Sequence, residues 1–188
     1  MAMSTARERL LDALEEILIE DGERAVTLEA VAARAHVSKG GLLYHFASKA
    51  SLAEGLVARM QERAAVDAQQ MRDAPAGPAA YYIRTSAEVG SPFDQTLLAV
   101  FRLAPGSDSH VSAAIQGVRS RWLELITDEV VDPELALAIL LMGDGLYSSA
   151  SLALDTPLPA TATTASAPDL SDTDALLRVV SRLRGLSG

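Results

Sequence analysis

Residues 27–52 read TLEAVAARAHVSKGGLLYHFASKASL, and this stretch decides the fold. Its apolar residues recur at helical spacing in two short runs. Thr27 is placed to cap a helix over Leu28–Ala35, with Leu28, Val31 and Ala35 on one face. His36-Val37-Ser38 breaks the pattern, and Ser38 then caps a second run, Lys39–Phe46, that buries Leu42 and Phe46 four residues apart. Two short capped helices across a three-residue turn make a helix-turn-helix, whose second helix enters the DNA major groove by its N-terminal end. The chemistry at that end suits a polyanion. Ser38, Lys39 and the backbone amides of Gly40 and Gly41 gather where a helix carries partial positive charge. The paired glycines cost roughly 1 kcal/mol each in helix propensity against alanine; in return they keep side chains off the surface that meets DNA. Tyr44 and His45 project polar tips, and Lys49, opening the next helix behind Ser48, reaches a flanking phosphate.

Charge singles out the same window. A net charge of −9 argues against a protein that coats nucleic acid by bulk attraction. Yet no Asp or Glu occurs from Ala30 to Ala53, while Arg34, His36, Lys39, His45 and Lys49 all fall inside, the two lysines being the only ones in the chain. Residues 1–60 together hold seven Lys/Arg against nine Asp/Glu, so the predicted DNA face is local. A helical hairpin with solvated polar residues, or a structural adaptor built of helices, explains the apolar stripes but not this acid-free window.

Outward from the window, the chain reads as helices from end to end. Aromatics are only 4% of a chain that is 49% hydrophobic, which favours packed helices over sheet. Ser4 is placed to cap the first helix, whose stripe is Leu10, Leu14, Ile17 and Leu18 and whose stop is Gly22. The fourth runs from Lys49 to about Met71, with Leu52, Leu56 and Met60 on one face. The run APAGPA at 74–79 is the clearest break. Helices follow over 79–89, 94–103 and 111–131, the last with a stripe of Val111, Ile115, Val118, Trp122 and Leu125. Asp132-Pro133 starts an eighth that reaches about Leu154. Thr156–Pro168 is a Thr/Ala/Pro-rich connector, and Ser171 opens a ninth helix carrying Leu176, Val179, Val180 and Leu183. The predicted architecture is all-α: a three-helix DNA-binding domain over 1–48, and a helical ligand-binding and dimerisation domain over 49–188.

The eighth helix carries one charge between Leu135 and Leu154, a length that matches a bilayer. Gly143-Asp144-Gly145 lies at its midpoint, where a charge in lipid costs on the order of 3 kcal/mol. A buried helix at a subunit seam is the better reading, with Gly143, Gly145, Ser148 and Ser149 permitting close approach. Asp12, Glu15 and Glu16 interrupt any apolar leader, so the expected compartment is the cytoplasm. The absence of cysteine removes disulfides and thiolate sites. His36, His45 and His110 lack ligand spacing, and no phosphate loop or nucleophile motif occurs, so neither an enzyme, a metal nor a cofactor is expected.

The quoted string resembles the DNA-binding signature of the tetracycline-repressor (TetR) family in Thr27, Val31-Ala32, Ala35, Val37-Ser38-Lys39-Gly40, Leu42, Tyr44-His45-Phe46, Ser48-Lys49 and Leu52. With the first helix, the likeness covers about 45 residues; beyond it only the nine-helix layout matches. The resemblance implies that Ser38, Lys39, Gly40, Tyr44, His45 and Lys49 contact an operator, and Thr27 and Gly41 complete the expected DNA-binding set. Leu43 departs from it where many members have a second aromatic, and Gly41 where many carry a polar side chain. It further implies a repressor that binds an inverted repeat as a homodimer through the last two helices and leaves it when a small effector enters the middle helices. The scarcity of charge there predicts a largely apolar effector, with Phe93, Phe101, Arg102, Trp122, Asp144 and Tyr147 as candidate lining groups. Asp144, flanked by glycines in an apolar helix, must find a partner: Arg102, a group from a second subunit, or a cationic ligand.

Overall fold

A computed structural model describes residues 5–103, 109–155 and 172–185. Among the described residues there are nine α-helices and no strand: α1 Ala6–Glu20, α2 Leu28–Arg34, α3 Lys39–His45, α4 Lys49–Arg72, α5 Pro78–Ser86, α6 Pro92–Leu103, α7 Ser109–Val130, α8 Pro133–Asp155 and α9 Thr173–Arg184. The chain divides into two compact units, Met1–Ala65 with Gly90–Gly117, and Val66–Val89 with Val118–Gly188.

In the first unit, α1 packs against α2, α3 and α6. Leu10, Leu14, Ile17 and Leu18 are buried as the periodicity predicts, joined by Leu11, Val31, Leu42, Phe46, Leu52 and Leu56. Each such side chain contributes roughly 1.5–3 kcal/mol by leaving water. Gly55 lets α4 close on this core, since a Cβ there would stand 2.6 Å from the Phe46 ring. Ser4 lies outside the described residues; Thr5 caps α1 by accepting from the Glu8 amide at 3.2 Å. Gly22, at φ 79°, ends α1 by donating to the Ile17 carbonyl.

The α2–α3 turn uses the same device without glycine. His36 sits at φ 52° while the Val37 amide donates back to the Ala32 carbonyl. Ser91-Pro92 starts α6 through a reciprocal cap, the Ser91 amide donating to Asp94 and the Asp94 amide to the Ser91 hydroxyl. That Ser-Pro-x-Asp signal places the start two residues before the predicted 94, and the turn through Gly90 ends α5 three residues before the predicted 89.

In the second unit, α5 packs on α8 and α9, and α8 on α9. Asp132 caps α8 as predicted, accepting from the Leu135 amide at 3.0 Å. Asp172 caps α9; Ser171 and the connector Thr156–Pro168 lie outside the described residues. No described helix is long and apolar enough to cross a membrane, α8 included. Gly143 faces inward, its virtual Cβ 2.2 Å from the Tyr82 ring, whereas Gly145 faces open space. The small residues of α8 therefore do two different jobs.

Candidate functional site

Four hydroxyl caps shape the part of the first unit built from α2, α3 and the start of α4. Thr27 accepts from the Ala30 amide at 3.0 Å and Ser38 from the Gly41 amide at 3.1 Å, so both side chains hold helix ends. Ser48 and Ser51 cap α4 reciprocally, each hydroxyl accepting the other residue's amide. Inside this frame Leu42 and Phe46 anchor α3, and everything between them turns outward. Tyr44 is 85% exposed and Leu43 42%, with the His45 ring edge-on to Tyr44 at 5.1 Å. The glycines divide in role. Gly40 faces open space, while a Cβ on Gly41 would stand 2.9 Å from Val37 Cγ1, so a side chain at Gly41 would have to displace Val37 in the turn beneath it.

The cations of the acid-free window are not bare. Lys39 Nζ donates to Glu29 at 2.7 Å, and Lys49 Nζ lies 3.6 Å from the Glu23 carboxylate and donates to its backbone carbonyl. Arg34 is tied to Glu16, Glu20 and Asp21. The hydrogen bond from Lys39, foremost among the causes, holds the Glu29 carboxyl below its ordinary range. Sequence spacing hid this, because the carboxylates come from outside the window.

The unit also contains a buried polar joint. Arg59, 5% exposed, donates to Glu8, Asp12 and Glu15 of α1. Arg63 donates to Glu15, to the Pro92 carbonyl and to Thr96 of α6, and the Thr96 hydroxyl donates to Glu15 at 2.6 Å. Burial alone would lower the Arg59 pKa, but its bonds to Asp12 and Glu15 outweigh that and raise it.

Among the candidate effector residues, Trp122 and Asp144 meet around Tyr82 in the second unit. The Tyr82 hydroxyl donates to Asp144 at 3.1 Å, and the Tyr82 and Trp122 rings lie 5.4 Å apart. Trp122 Nε1 donates to Asp67 at 2.8 Å, which also accepts from Tyr81. The partner of Asp144 is Arg119, at 2.7 Å, rather than Arg102. Tyr147 is half-buried on α8. Phe93, Phe101 and Arg102 belong to the first unit, where Phe101 is exposed and Arg102 lines a surface hollow with Asp21, Gly22, Glu23 and Arg24. The sequence reading missed Asp67, Tyr82 and Arg119. Arg119 stands three residues before Trp122 on one helix face, a visible signal, but nothing local says which cation meets Asp144.

Residues 10–56 match the family described as bacterial regulatory proteins, tetR family, and residues 76–167 the tetracyclin repressor-like C-terminal domain. Similar solved structures include a putative TetR-family transcriptional regulator from Rhodococcus sp. (18% identity, TM-score 0.66, covering 96% of this chain and 100% of that one). Another is NalD, the secondary repressor of the MexAB-OprM multidrug efflux pump in Pseudomonas aeruginosa (18%, 0.62, 94% and 95%). A third is the multidrug binding protein EbrR complexed with malachite green (22%, 0.66, 94% and 96%). Among curated proteins, none matches at a significant level.

Proposed function

The chain belongs to the TetR family of bacterial regulatory proteins, transcription factors rather than enzymes, and from that premise we propose that it is a repressor binding an inverted-repeat operator as a homodimer and released by a small effector. In this reading residues 1–48 bind DNA and 49–188 serve effector binding and dimerisation. The observation that carries it is Tyr44, left 85% exposed beside the exposed Leu43 and His45 while Leu42 and Phe46 on either side anchor the segment in the core. Tyr44 offers an apolar ring with a polar tip, chemistry suited to a partner surface that is apolar at one point and wet at the next. Tyr44 and His45 read base edges, while Lys39, Lys49 and the α3 amides take phosphates.

Dimerisation through α8 and α9 is supported by Leu137, Leu141 and Val179, which are 47%, 56% and 38% exposed in one chain, and by the open face at Gly145. Leu146 and Val180, by contrast, are buried within the chain and make poor probes of a seam. The effector is proposed to be largely apolar, seated beside Trp122 and Tyr82 with one polar group toward the Arg119–Asp144 pair; a fold shared with a multidrug-binding protein is consistent with this. Effector and operator then weaken each other by one common factor, and a tenfold release needs only about 1.4 kcal/mol of differential affinity.

The test is a salt-titrated DNA shift assay. Lys39→Ala and Lys49→Ala are expected to weaken operator binding and to lower its log–log salt slope by about one each. A double variant that binds as wild type does would place the DNA face elsewhere.

A further inference from the structure

We propose that Glu29, seconded by Glu23, is a specificity-determining residue of the DNA-binding head, holding Lys39 until a phosphate of a fully seated duplex displaces it. The inference rests on the DNA-binding reading above. All three Lys/Arg side chains between Ala30 and Ala53 are covered by carboxylates contributed from outside that window. For Arg34 this is architecture, a tie from α2 back to α1. For Lys39 it is not. Its pair lies at the surface, with the Lys39 and Glu29 side chains 61% and 65% exposed, and it joins α3 to α2, which the buried Leu42 and Val31 already hold.

Distance is what separates the two modes of DNA binding. In a loose complex no phosphate is held in register with Lys39, and a lysine paired with a carboxylate acts there as a weak dipole rather than a cation. Attraction that ignores sequence is then small, which suits a chain with a net charge of −9. In a seated complex α3 lies in the groove and a phosphate comes within contact distance of Lys39. There the exposed pair exchanges readily, because such pairs are held weakly and the phosphate offers several acceptor oxygens. The pairing therefore discounts loose binding more than seated binding.

The test uses the full-length chain, a duplex that the wild type selects from a random pool, and a scrambled duplex of equal length and composition. Glu29→Gln is expected to raise affinity for the scrambled duplex by about three- to tenfold and to steepen its salt slope by about one. The selected duplex should gain less, so the ratio of the two affinities falls. In a Lys39→Met background, Glu29→Gln should give a clearly smaller gain on the scrambled duplex, the part due to general repulsion alone. Equal gains on both duplexes, or the same gain with and without Lys39, would reduce Glu29 to general repulsion and overturn the proposal. No gain in any background would overturn it too. If the wild type selects no duplex and Lys39→Met leaves binding to the scrambled one unchanged, the DNA-binding reading itself fails. That outcome is distinct from a head that binds DNA but is insensitive to Glu29.

Discussion

Val131 holds a left-handed backbone, φ 58°, with a β-branched side chain that is 84% exposed. The crowding of Cβ against the following carbonyl costs roughly 1–2 kcal/mol in that region, and glycine is free of it. Val131→Gly is therefore expected to stabilise the chain by about 1 kcal/mol and to raise its melting temperature by roughly 2–4 °C in a thermal scan. His36, at φ 52°, carries a milder version of the same strain. Neither position announces itself in sequence, because the usual glycine of a helix stop is absent from both. Tyr82 makes the second prediction at this scale. Burial first, then the charge of Asp144, pushes its phenol above the ordinary value of 10.0. The native chain keeps that proton where the unfolded chain releases it, so stability should fall as pH rises above about 10. Chemical denaturation across that range should show the decline, and Tyr82→Phe should flatten it. The lysines of the proposed DNA face were legible as residues, but their carboxylate partners lie 10 and 26 positions away and were not.

At the level of elements, what was legible was what is local. Caps at Thr27, Ser38 and Asp132 follow from a side chain and an amide three residues on, and each formed where the sequence placed it. The joint of Arg59, Arg63, Glu15 and Thr96 was not legible, since it draws on three helices and buries a guanidinium where the pattern of α4 shows only a charge between apolar turns. Such a network is weak evidence for net stability, yet removing one member strands the others. Arg59→Met should cost about 3 kcal/mol in denaturant unfolding. A loss under about 1 kcal/mol would mean that water reaches Glu15, the one buried carboxylate of the joint, and that the joint is not tight. The division of α8 was also invisible, because Gly143 and Gly145 are two residues apart and differ only in what another helix brings to them. Leu141→Arg, on the exposed row, should yield monomers by light scattering and weaken operator binding with them; a persistent dimer would move the seam off α8.

For the molecule as a whole, the fold class followed from periodicity, composition and one dense motif. The grouping of effector candidates did not, because spacing along the chain cannot say which helices become neighbours. The charge balance carries the central claim. A chain with net charge −9 binds DNA only if a small surface, Tyr44 and His45 with the ends of α3 and α4, does the reading. Selection of duplexes from a random pool, followed by footprinting, tests this most directly. The account predicts an inverted repeat with half-sites about 10 bp apart or a little more, protected by the wild type and lost with Tyr44→Ala. Enrichment of no sequence, or a footprint that Tyr44→Ala leaves intact, would contradict it.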